Sequence, residues 1–223
     1  MLMAHKFNAL YGRIATAYDT FFEADGSAGR VTQTLNLGPG YYRVAMTGGG
    51  GSSGYNAYYQ TNNNCCFSSG SSAVAGAGGG AVFYGIIYLN RAQNIELTVG
   101  AVGEASSIFG ISCGAGGDAS GYVSGSTTVA NVGAGGTIAI ADASLIVESV
   151  LNQDGNAGSW TSQASAAGGA GLLAYTGGNQ NFPSIDKSGY GVGSVGVYSG
   201  SSGATTSGCT AGYLKIEKCD YIS

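Results

Sequence analysis

Charge is scarce in this chain. Only 9% of its 223 residues are Asp, Glu, Lys or Arg, against about 25% in an ordinary globular domain. Pro occurs twice, and His and Trp once each. Each shortage excludes something. With a net charge of -4 and no basic cluster, nothing is available to neutralise phosphates, which excludes nucleic acid as a partner. A single histidine, His5, leaves a Ser-His-Asp or Cys-His centre with only a terminal residue as its base, a poor place to fix one. The His/Cys spacings of a zinc site are missing. Two prolines without a Gly-X-Y period exclude collagen. No apolar run is long enough for membrane insertion. The opening MLMAHKFNALYGR is broken by His5, Lys6, Asn8 and Arg13 and does not read as a signal peptide. The five cysteines, Cys65, Cys66, Cys113, Cys209 and Cys219, are odd in number and irregularly spaced. They are read as reduced thiols of a cytosolic product, with disulfides left open.

What the chain has in excess is glycine, 42 residues, together with 15 tyrosines. The aromatics and β-branched runs exclude disorder. From Val31 onward apolar residues alternate with a period of two. VTQTLNL places Val31, Leu35 and Leu37 on one face, and YYRVAM after the Gly38-Pro39-Gly40 turn places Tyr42, Val44 and Met46 on one face. The pair predicts a β-hairpin. Further strands are expected at 81–89, 94–99, 137–141, 145–151, 171–175, 192–198 and 212–217. Short strands between Gly/Ser/Asn turns imply an all-β fold, a glycine-rich β-sandwich or jelly-roll-like domain over residues 25–223. Residues 1–24 stand apart. Phe7, Leu10, Tyr11, Ile14, Tyr18 and Phe21 recur at helical steps, which suggests a short N-terminal attachment or oligomerisation segment, or an element packed on its own domain. GAGG boxes at 76–79, 114–117 and 133–136, with GGAG at 168–171, recur at uneven intervals. They predict either extended polyproline-II-like runs packed on one another or tight turns.

The order of these motifs resembles the glycine-rich domain of bacteriophage tail-fibre, minor tail and other virion proteins. LNLGPGYYRVAMTGGGGSSG is similar to its start, GAGGGAVFYGIIYLNRAQNIELTVGAVGEASSIFG to its centre, and GAGGDASG, GAGGTI and AGYLKIEK to its later part. The resemblance spans about residues 25–218. It implies an all-β, non-enzymatic virion protein without cofactor, assembled in the host cytoplasm. It also implies a homo-oligomer, a trimer for preference. The N-terminal segment would join it to other virion proteins, and a host-surface glycan or protein would be its receptor. A structural capsid decoration or head-fibre role without receptor is the alternative. An enzyme acting on surface glycans is the third.

Two stretches carry candidate receptor-binding residues. In GYNAYYQTNNNCCF they are Tyr55, Tyr58, Tyr59, Asn62, Asn63 and Asn64; in GGNQNF they are Asn179 and Asn181, joined by Trp160. Tyr supplies rigid amphipathic area and Asn adaptable hydrogen bonds, although Tyr is also enriched in subunit interfaces. GVGSVG at 191–196 matches a dinucleotide fingerprint by letter, but VYSGSS rather than a helix follows it. The scattered carboxylates predict no catalytic pair or metal cage.

Overall fold

A computed structural model describes residues 17–61, 69–162, 165–177 and 179–221. The chain shuttles between two poles. It begins with β1 (Ala17–Asp25), β2 (Val31–Leu37) and β3 (Gly40–Thr47). Residues 48–51 lead out to β4 (Gly54–Thr61) and β5 (Ser69–Ala75), and 76–81 return to β6 (Val82–Leu89) and β7 (Gln93–Val99). After a turn come β8 (Ser106–Ile108) and β9 (Ile111–Cys113). Residues 114–117 lead out again to β10 (Ser120–Ser124) and β11 (Thr127–Asn131), and 133–136 return to β12 (Ile138–Ile140) and β13 (Ile146–Gln153). The third excursion carries β14 (Trp160–Thr161) and β15 (Ser165–Ala166) and returns to β16 (Ala174–Tyr175) and β17 (Ile185–Asp186). The fourth carries β18 (Gly196–Val197) and β19 (Gly203–Thr205) before the closing β20 (Tyr213–Cys219).

One pole, the base, is a sandwich of two five-stranded sheets, ordered β1-β20-β3-β6-β13 and β12-β9-β8-β7-β2. The all-β expectation holds. Tyr42, Val44, Met46 and Phe83 from the first sheet meet Leu97 and Ile111 from the second, each such burial contributing about 1.5–3 kcal/mol. The expected hairpin of β2 with β3 does not form. Both strands exist, but β2 pairs β7 and β3 pairs β20 and β6. Gly40, at φ 143°, turns the chain from one sheet into the other, and the Tyr42 hydroxyl donates to the Gly38 carbonyl at 2.8 Å across that corner. Gly38-Pro39-Gly40 is a turn as expected, but the strands it joins lie in different sheets. The outer face of the first sheet is also covered. Ala45, Tyr84, Ile86 and Leu151 pack under Leu173 and Phe182.

Residues 17–24 are not helical. They form most of β1, which lies antiparallel on β20 from Ala17 opposite Cys219 to Asp25 opposite Tyr213. The rest of the segment proposed as an attachment arm lies outside the described residues. Because Tyr213 follows directly on the last glycine run, both ends of the described chain sit at the end of the base away from the glycines.

Between the poles the glycine boxes form a bundle of extended rods, the first of the two expected solutions. The N–H groups of residues 76–81 donate in turn to Ser159, Ser194, Gly117, Asn156, Gly191 and Gly114, at 2.8–3.0 Å. Residues three apart therefore bond the same neighbour, the signature of a three-residue turn. The carbonyls of the same rod accept from 48–51, 133–136 and 169. Six rods thus surround a central one. Such helices have no internal hydrogen bonds, so every amide must be satisfied sideways, and the bundle does this. Close approach is what requires glycine. A Cβ at Gly78 would overlap the Ala134 carbonyl, and one at Gly116 the Gly78 carbonyl.

Candidate functional site

The far pole, the crown, consists of the described residues of the four outward excursions: 52–61 with 69–75, 118–132, 159–162 with 165–167, and 195–209. Of the protein's charged residues only Asp118 lies in them. All eight Lys and Arg lie in the base or before it. Asp118 sits at the root of its excursion and accepts from the Ser52 and Ser53 amides and the Ser52 hydroxyl at 2.6, 3.0 and 2.9 Å. Burial raises its carboxyl pKa, but these hydrogen bonds outweigh that and hold it below the usual aspartate range. The single charge thus ties two excursions together where they leave the bundle.

The crown is built on a four-stranded sheet, β14-β5-β4-β19, flanked by the β10-β11 hairpin and the β15-β18 pair. Strand alternation splits the tyrosines. Tyr55, Ala57 and Tyr59 share one face of β4, and Asn56, Tyr58 and Gln60 the other. Tyr55 is half-buried against an alanine layer of Ala57, Ala73, Ala75, Ala119 and Ala130. Gly121 passes so near its ring that a Cβ there would collide with it. On the opposite face the Tyr58 ring meets Tyr198 edge-on at 5.5 Å, and its hydroxyl donates to the Gln60 side chain at 3.0 Å. The Ser202 hydroxyl accepts from the Tyr58 amide at 2.8 Å and donates to its carbonyl at 3.0 Å. Tyr58 beside it raises the Tyr198 phenol pKa. The Asn56 amide nitrogen donates to the Ser201 carbonyl at 2.6 Å and fixes this loop. Trp160 lies on the edge strand β14 opposite Ala75, and its side chain is 56% exposed.

The crown therefore gathers Tyr55, Tyr58, Tyr59 and Trp160, with Tyr55 as packing rather than contact. Asn62, Asn63 and Asn64 lie outside the described residues. Asn179 and Asn181 are elsewhere, on the outer flank of the base. Asn179 donates to a Glu148 carboxylate oxygen and accepts from the Asn181 amide at 2.9 Å. The buried Asn181 also donates to Glu148 at 3.4 Å, and its carbonyl accepts from Arg43 at 3.0 Å. These two are structural pins, and the fold separates them from the tyrosines. The exposed crown aromatics that the sequence pattern left out are Tyr122, 56% exposed, and Tyr198. Their signal was a Tyr set in Ser/Gly turns, SGYVSGS and VYSGSSG. Among the described residues no three His, Cys, Asp or Glu gather as metal ligands, and no helix is long and apolar enough to cross a membrane. No protein-family model matches this chain, and no curated protein matches its sequence.

Proposed function

We propose that this protein is a non-enzymatic virion component that binds the host surface through its crown, its base facing the rest of the particle. The observation that carries the reading is polarity. The ends of the described chain sit at one pole, and four Tyr- and Ser-rich excursions, whose one charge, Asp118, is tied down at their root, meet at the other. The bundle between them holds these excursions on a rigid support, so little ordering entropy is lost on contact. Exposed Trp160, Tyr122 and Tyr198 supply flat apolar area, and Ser hydroxyls supply hydrogen bonds. Such a surface suits a hydroxyl-rich glycan, whose pyranose faces stack on aromatic rings. The test is competition: purified protein is added to host cells before virions. Protection of the cells by the natural chain, lost in a Trp160→Ser/Tyr198→Ser variant that remains folded, supports the proposal. Equal protection by both, or none by either, overturns it. Labelled protein mapping to the capsid shell instead favours decoration without a receptor.

A further inference from the structure

The exposed rings of the crown do not converge on one point. Cross-strand partners share a face of a sheet. Ala75 pairs Tyr55 on one side and Trp160 on the other, so all three lie on the alanine face. The β10-β11 hairpin covers that face through Ala119 and Ala130. In β10 the residue turned toward the sheet is Gly121, which pairs Ala130 and meets the Tyr55 ring. Tyr122, one residue on, therefore stands on the outer side of the hairpin. Tyr198 is on the opposite side of the sheet. Its ring meets that of Tyr58, which alternates with Ala57 and faces away from the alanine layer. Packed β-layers lie about 10 Å apart. The sheet itself thus separates Tyr198 from Trp160 and Tyr122, and no single sugar ring reaches both sides.

Charge narrows the ligand further. The four excursions hold no Lys, Arg or His. Their one carboxylate, Asp118, is already engaged by Ser52 and Ser53. A sugar carboxylate or phosphate brought out of water here meets no cation, so its desolvation is not offset. A basic sugar finds the one carboxylate occupied. An uncharged sugar carries neither cost, and its faces and hydroxyls match exposed rings and serines. Separate weak contacts become strong only when one ligand engages several of them together. We infer that the crown binds a repeating, uncharged polysaccharide through separate aromatic platforms on its two sides, rather than a terminal sugar in one pocket. The inference rests on the crown being the host-contact surface and adds the class of glycan and the way it is held. A long chain of like repeats meets both sides by passing round the crown, which a short fragment does not.

The test uses polysaccharide extracted from host cells and separated by ion exchange into uncharged and acidic pools, each whole and cleaved to fragments of a few sugars. The full chain is titrated with each and followed by NMR. One reporter is the indole N–H of Trp160, the single tryptophan; the other is the amide of Ser199, next to Tyr198. Fragments of the uncharged pool should shift both. Tyr198→Ser should leave the indole titration unchanged, and Trp160→Ser should leave that of Ser199 unchanged. The whole uncharged polymer should bind about a hundredfold more tightly than its fragments, and either variant should lose most of that gain. Fragments that bind as tightly as the polymer overturn the inference, as does one variant that abolishes the shifts at both reporters. Preference for the acidic pool, or binding to host cells that is lost when the cells are treated with protease, also overturns it, while leaving the crown as the host-contact surface. Failure of the natural chain to bind host cells at all overturns that role and the inference with it.

Discussion

The α-carbon of Gly78 lies directly against the carbonyl oxygen of Ala134, with no space between them for a methyl group. Both sit on neighbouring rods, so neither can move without shifting the bundle. Gly78→Ala should cost about 4 kcal/mol or more, the range of severe core disruption. Gly189 is the control. Nothing lies within 4 Å of a Cβ placed there, and its φ is ordinary. Gly189→Ala should change stability by less than about 1 kcal/mol, in the stabilising direction, through the unfolded chain. Denaturant midpoints of the two variants measure the contrast. Equal midpoints would mean the rods are not packed as described.

Asp118 gives the crown an acid-sensitive root. Its folded pKa lies below the ordinary 3.8. The stability it contributes is therefore fully present above that ordinary value and is lost as pH falls through the lower folded one. Protection of the Ser52 and Ser53 amides, measured as the exchange rate relative to the intrinsic rate at each pH, should fall over that interval, ahead of global unfolding. Asp118→Ala should lower that protection at neutral pH and cost about 1–2 kcal/mol. If these amides exchange at the same rate in both proteins, the carboxylate is not what holds them.

Much of the base was legible, and the reasons are physical. In β7 and β20 core-facing Ile, Leu and Val alternate with polar residues, while β6, buried on both faces, and the start of β13 show as apolar runs. β4 and β5 were hidden because their buried neighbours are alanines and their other residues are Tyr, Ser and Asn. The strands therefore resemble a loop in composition. The rods at 155–158 and 191–194 carry glycine only where another rod presses. Gly155 and Gly158, which meet the carbonyls of Gly79 and Gly76, flank Asn156 and Ala157 and do not look like a box. Asn179 and Asn181 have the right chemistry for a contact loop, but Glu148 and Arg43 already occupy them. That pairing spans more than thirty residues, and no local pattern reports it.

The base should also fail in alkali. Burial raises the phenol pKa values of Tyr84 and Tyr213, and for Tyr213 the bond it donates to Glu23 at 2.7 Å raises it further. Burial also pushes the Cys219 thiol up to about 11. Groups with raised folded pKa values contribute stability that is complete below their unfolded values and lost as pH rises through the folded ones. Stability should thus begin to fall above about pH 8.5, where a free thiol ionises, and more steeply above about pH 10, where a free phenol does. Tyrosinate absorbance should rise in a cooperative step that coincides with unfolding by circular dichroism. Gradual titration of every tyrosine near its ordinary pKa, with the fold intact, would contradict the burial described.

The near absence of charge in the crown predicts how binding responds to salt. Raising ionic strength from about 0.1 M to about 1 M shortens the screening length from about 10 Å to about 3 Å. A contact made by lysines or arginines weakens strongly under that change. A contact made by Trp160, Tyr122, Tyr198 and serine hydroxyls has no field to screen. The affinity of the purified protein for host cells should therefore stay within about twofold over that range, while Trp160→Ser lowers it at every salt concentration. Affinity that collapses with added salt, and is indifferent to Trp160, would move the contact from the crown to the base, where all the described Lys and Arg residues lie.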